Sequence, residues 1–141
     1  MSWLVYAILS AVSAAFVSIF GKMGLQKVDS NTATAVRSVI MTLFLFSVVA
    51  VQGNLHRIPE IVGEKKTFIF VVLSGIAGAT SWLFYFLALK TGKVSQVAPI
   101  DKLSVVIATV AAIAFFGERL SVVNGIGVVL IAVGVLLTAL H

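Results

Sequence analysis

Residues 94–117 read VSQVAPIDKLSVVIATVAAIAFFG, and the fold turns on whether this stretch crosses a membrane. A spanning helix needs about 20 mostly apolar residues, because the hydrocarbon layer is about 30 Å thick and a helix rises about 1.5 Å per residue. With Asp101 and Lys102 inside, the stretch is long enough. With them outside, only Leu103 to Gly117 remains, 15 residues, which is short for a span.

The flanking sequence favours lipid as the solvent. Of the 141 residues, 60% are hydrophobic and 11% are charged, with a mean hydropathy of +1.15. A water-soluble domain carries roughly 25% charged residues, so this chain cannot coat a soluble surface. Four further stretches lack any formal charge: Trp3 to Gly21 (19 residues), Ser38 to His56 (19, with His56 neutral), Thr67 to Leu89 (23) and Leu120 to Leu140 (21). The apolar runs do not alternate with period two, as the strands of an outer-membrane barrel would. The expected fold is therefore all-α: a polytopic membrane protein, a five-transmembrane-helix bundle. The expected helices cover about 3–25, 32–52, 67–90, 95–116 and 121–140, with a polar loop at 53–66 and short connectors at Asp29-Ser30-Asn31, Thr91-Gly92 and Gly117. No second domain or internal repeat is evident, so residues 1–141 read as a single unit.

Several function classes drop out. The net charge is +5, but the basic residues cluster at helix ends, where lipid headgroups account for them better than nucleic acid does. There is no cysteine, hence no disulfide and no thiolate metal site. His56 and His141 fall in a loop and at the terminus, and no two carboxylates share a helix face. No cofactor or metal is expected, and an enzyme is not. The first span has no positive n-region, so it reads as a helix rather than a cleaved leader.

Five spans put the two termini on opposite sides. Basic residues in short loops normally fix which side is which. One side has Lys22, Lys27, Arg37, Lys90 and Lys93; the other has Arg57, Lys65, Lys66 and Arg119. Five against four is almost no bias. Either orientation is set by something else, or the chain inserts both ways and pairs antiparallel.

The functional candidates are polar groups at membrane depth. Asp101 and Lys102 lead, since intramembrane ionisable residues mark substrate or ion paths. Neighbours on a helix point about 100° apart, so the two are not expected to neutralise each other. Inside a helix, Pro99 would leave the Ser95 carbonyl without its bond; at the first turn it would instead start the helix and let Lys102 snorkel. Ser74, Gly78, Ser81 and Tyr85 form a stripe on the third span, with Trp82 beside it, and Ser10, Ala14, Ser18 and Gly21 form one on the first. Such stripes favour helix packing. Interfacial anchoring competes for Trp82 and Tyr85, and snorkelling is the default for Arg37. Gly127 and Gly134 share a face of the last span, where a second helix could approach.

The run Phe115-Phe116-Gly117-Glu118-Arg119-Leu120-Ser121, then Gly125-Ile126-Gly127 and Ala132-Val133-Gly134-Val135, resembles the end of an EamA domain of the drug/metabolite transporter superfamily. Leu87-Ala88-Leu89-Lys90 and Val97-Ala98-Pro99 resemble its third-to-fourth-helix pattern, and Arg37 falls where the family often has an Arg. Residues 97–104 further resemble the short, single-unit branch. The resemblance implies a secondary transporter, expected to be an exporter of a small polar metabolite by alternating access. It would work as an antiparallel, dual-topology homodimer or paired with a similar subunit, in a bacterial or archaeal cytoplasmic membrane. Small multidrug resistance relatives carry a Glu in the first helix; none stands here. Asp101, Lys102, Trp82, Tyr85, Ser81 and Arg37 are then the expected substrate or proton contacts, and Lys102 admits an anionic or zwitterionic cargo. The alternative is a non-transporting membrane subunit that stabilises or regulates a partner.

Overall fold

A computed structural model describes residues 3–140; His141 lies outside the described residues. The helices are α1 (Trp3–Gly24), α2 (Ser30–Val51), α3 (Ile58–Gly63), α4 (Lys65–Thr91), α5 (Val94–Asp101), α6 (Leu103–Phe116) and α7 (Val122–Ala139), with a 3-10 turn at Leu55–Arg57. Among the described residues there is no strand. Five helical segments are long and apolar enough to span a bilayer: α1, α2, α4, α5 with α6 taken as Val94–Phe116, and α7. The protein is an all-α polytopic membrane protein.

Two details depart from the sequence expectation. The 53–66 segment is not a plain polar loop, because it winds into the 3-10 turn and then α3, with Pro59 in the first turn of α3, a position where the missing N–H costs nothing. The fourth span is a broken helix. Pro99 lies inside α5 rather than starting a helix, and the ladder passes Lys102 through tighter bonds: Lys102 N donates to the Pro99 carbonyl at 2.9 Å and Val105 N to the Lys102 carbonyl at 3.0 Å.

The helix ends follow from local chemistry. Asp29 caps α2, its Oδ2 accepting from Thr32 N at 2.8 Å and Thr32 Oγ1 at 2.9 Å. Those two bonds hold the carboxyl below the usual aspartate value, since they favour the charged form. Ser121 caps α7 by accepting from Asn124 N at 3.2 Å. Gly117 ends α6 with φ 64°, a left-handed conformation that favours glycine, and Glu118 N then reaches back to the Ala112 carbonyl, closing the last turn.

The chain divides into two compact units, Met1–Phe20 with Thr91–His141, and Gly21–Lys90. In the first, α7 packs against both α5 and α6, and Val135 is its buried apolar residue. In the second, Leu25, Phe86 and Leu89 are buried together with Ser30. Two lysines tie this second unit at one end. Lys22 Nζ donates to the Leu89 carbonyl at 2.5 Å, one of the last-turn carbonyls that α4 itself cannot satisfy. Lys90 Nζ donates to the Val28 carbonyl at 3.1 Å. Elsewhere large apolar side chains point outward, Phe115 at 84% and Val122 at 80% exposed among them. Such a surface needs lipid or another apolar partner against it.

Candidate functional site

The second unit contains a cavity of about 510 Å³ between α2 and α4. Ligand cavities commonly run from about 300 to 1,000 Å³. Gly75 and Gly78 give it room: a Cβ built at either would meet nothing within 4 Å. Met41, Leu45, Ala79 and Leu83 make most of its lining apolar.

Arg37 is the charged residue of that lining. It sits seven residues into α2, roughly 10 Å along the axis. Its side chain does not snorkel to the headgroups, as the sequence default would have it. The guanidinium carbon instead lies 3.7 Å from the centre of the Trp82 ring and 4.5 Å from that of Phe86. The physical reason is the aromatic platform across the gap, where negative ring faces attract a cation. Trp82 and Phe86 stack with centroids 5.5 Å apart, and Tyr85 meets both edge-on at 6.2 and 5.6 Å. Phe86 is 3% exposed and its ring lies so close to Gly21 that any Cβ there would collide with it. The Gly21 position of the first-span stripe is thus a packing contact.

The electrostatics leave Arg37 short of partners. Its Nη2 points at the Met41 sulfur at 3.5 Å, a weak acceptor. Its Nη1 is buried and has no hydrogen-bond partner. The unit's carboxylates are engaged or distant along the chain: Asp29 is taken by Thr32, while Glu60 and Glu64 lie beyond the far end of α2. A charge at membrane depth costs about 2.5–3.5 kcal/mol on insertion scales. A desolvated cation–π contact returns up to about 2 kcal/mol. The rings therefore offset much of the cost without supplying the in-plane acceptors a guanidinium prefers.

Thr34, Ser38 and Thr42 also line the cavity. Each hydroxyl donates to a backbone carbonyl of its own helix, at 2.7, 2.7 and 2.8 Å. Their oxygens remain available as acceptors only.

Of the expected contacts, the structure brings Arg37 and Trp82 into this cavity, with Tyr85 against Trp82. Ser81 is exposed on α4 and does not line it. Asp101 and Lys102 lie in the other unit, and here one expectation is corrected: they do pair, Lys102 Nζ to Asp101 Oδ2 at 3.1 Å. The long, flexible lysine stem reaches the neighbouring carboxylate in spite of the angular offset. The pair remains substantially accessible, at 53% and 34% exposure. Asp101 also gives its carbonyl to Ser104 Oγ at 2.7 Å. Gly127 lines a second cavity of about 830 Å³ in the first unit, together with Thr109, Glu118 and Asn124. A Cβ at Gly127 or Gly134 meets nothing within 4 Å, so close packing inside the chain does not require glycine at either. Sequence reasoning missed Phe86; the only signal was its place four residues after Trp82.

The comparisons fit this architecture. The model of the EamA-like transporter family matches residues 1–140. A protein of Sinorhizobium sp described as "Uncharacterized transporter in cobO 3'region" is 42% identical over 138 residues, covering 98% of this chain and 96% of that protein. No solved structure matches.

Proposed function

Because the chain belongs to the EamA-like transporter family, we propose that it moves a small polar metabolite by alternating access, as one half of an antiparallel dimer. It is an integral membrane protein of the drug/metabolite transporter type.

The observation that carries it is the α2–α4 cavity, with one part-buried, under-satisfied cation in a mostly apolar wall. A purely structural helix pair would have no use for that arrangement. Arg37, Trp82 and Tyr85 form the proposed wall of the path. Asp101 and Lys102 serve as a second contact for substrate or proton on the broken fourth span, and Ser81 as a more peripheral one. Discontinuous helices near substrate are a recurring transporter device. Export from a cytoplasmic membrane is the proposed direction.

Assembly follows from the count of spans. One unit of five helices, residues 1–141, has its ends on opposite sides, and with Arg37 drawn into the cavity the basic tally is four against four, which fixes orientation weakly. Its outward apolar side chains, and the open space over Gly127 and Gly134, suit a second copy inserted the other way.

Reconstitution of the purified protein alone in liposomes tests the reading. Counterflow of a labelled small metabolite is expected from this chain without any other subunit. No flux alone, with flux or a stable complex only beside a different chain, would instead favour an accessory subunit. Tags at both termini should report comparable populations in both orientations; a single orientation sinks the homodimer.

A further inference from the structure

We propose that the α2–α4 cavity is a binding site for an amphipathic organic monocarboxylate, held by the in-plane edge of Arg37 while its apolar body fills the space beside Gly75 and Gly78. The inference deepens the transport reading by naming the class of cargo, and rests on it for that; the site itself is testable without flux.

The geometry of the guanidinium decides which ligand it can hold. Trp82 and Phe86, with their own centroids 5.5 Å apart, lie side by side about it, at 3.7 and 4.5 Å from the guanidinium carbon. A planar cation stacked on a ring still has its N–H groups in the plane, set to match a carboxylate with two parallel bonds. Nη1 is buried and unpartnered, and Nη2 meets only a thioether. An oxyanion would supply the acceptors that these N–H groups do not find within the chain, at a position held by ring stacking.

The other polar atoms narrow the class. One guanidinium balances one negative charge, which suits a carboxylate better than a phosphate dianion. The hydroxyls of Thr34, Ser38 and Thr42 have given their protons to helix carbonyls. They cannot donate to more anionic oxygens without breaking those bonds, but can accept from a ligand N–H or O–H. Asn31 adds one amide, able to donate and to accept, and the remaining lining is largely apolar, with open volume at two glycines. The fitting ligand thus has one carboxylate and an apolar body, with any further polar group facing hydroxyl acceptors or the Asn31 amide.

The test uses the full chain in lipid nanodiscs with Trp3→Phe, so that Trp82 is the remaining tryptophan. Phenylacetate, 2-phenylethanol, phenethylammonium and inorganic phosphate are titrated at neutral pH while Trp82 emission is read. Phenylacetate is expected to give a saturable change with affinity at least about tenfold above the isosteric alcohol, the usual minimum for charge-assisted hydrogen bonds. Equal affinity for acid and alcohol, or preference for the ammonium or for phosphate, overturns the proposal. Arg37→Gln should bring the acid down to the level of the alcohol; undiminished acid binding in that variant also overturns it. Gly78→Leu leaves Arg37 in place and fills the cavity, so it keeps the test decisive if Arg37→Gln does not fold. It should weaken phenylacetate at least about tenfold, and unchanged binding would refute the location. Counterflow on the same protein separates the two readings. Acid binding without flux leaves the site standing and defeats transport; flux of other solutes with no acid binding does the reverse.

Discussion

Replacing Arg37 and Trp82 singly and together measures how far the rings compensate a membrane-depth charge. Arg37 stands 3.7 Å from the Trp82 centroid and 4.5 Å from Phe86. Two desolvated cation–π contacts sharing one cation return about 2 kcal/mol in total, against about 2.5–3.5 kcal/mol for holding the charge at depth. Arg37→Gln should therefore be neutral or stabilise by about 1 kcal/mol, although it removes the charged residue of the cavity. Trp82→Leu loses one cation–π contact and a ring stack worth about 0.5–1.5 kcal/mol, so it should destabilise by about 2 kcal/mol. In the double variant the cation is already gone, and the Arg37–Trp82 coupling should come out near 1 kcal/mol, because Phe86 keeps part of the interaction in the Trp82 variant. Equilibrium unfolding in mixed micelles, followed by far-UV circular dichroism, gives all four corners of the cycle. A coupling below about 0.3 kcal/mol is within the scatter of independent sites and would refute the stacked placement of Arg37. Strong destabilisation by Arg37→Gln would refute the claim that its charge is under-satisfied.

Other outcomes follow from features away from the cavity. Asp29 is held below the ordinary aspartate value of 3.8, so its contribution is present in full above that value and is lost as pH falls through the lower folded value. Thermal melts across acidic pH should show this loss in the native chain but not in Asp29→Asn, which retains a capping acceptor without the titration. Gly21→Val drives a side chain into the buried Phe86 ring and should cost about 1–3 kcal/mol by the same unfolding assay. Gly117→Ala forces a Cβ into a left-handed turn at φ 64° and should cost about 1 kcal/mol. Asp101→Asn and Lys102→Ala, each correctly folded, should lower flux in liposomes; wild-type rates in both would remove this pair from the path.

The spans were legible in the sequence because a bilayer imposes a coarse code: length, and freedom from charge. Trp3 to Gly21 and Leu120 to Leu140 satisfy it without any knowledge of neighbours. Pro99 next to Asp101 and Lys102 also announced trouble in the fourth span, although whether the helix began there or broke there depended on backbone bonds. The site was less legible. Arg37 and Trp82 are 45 positions apart, and nothing in either segment says that one ring will cover the other side chain. Snorkelling was the default for Arg37 because a lone arginine near a helix end normally finds headgroups; an aromatic platform on another helix overrides that, and only tertiary placement reveals it. The Asp101–Lys102 pair was missed because the angular offset of adjacent Cα–Cβ bonds does not limit the reach of a flexible four-carbon lysine stem. The small helix at Ile58–Gly63 was missed because six residues are too few for a periodic signal to rise above turn composition.

The interrupted fourth span also has a mechanical consequence. Bending a continuous helix in hydrocarbon ruptures ladder bonds that no water can replace. At 99–102 much of that expense has been met in advance, since Pro99 has no N–H to give the Ser95 carbonyl and the neighbouring bonds already run over three residues rather than four. Eight residues on one side and fourteen on the other can therefore act as two stiff rods on a compliant joint, with Asp101 and Lys102 placed where the angle between the rods would change.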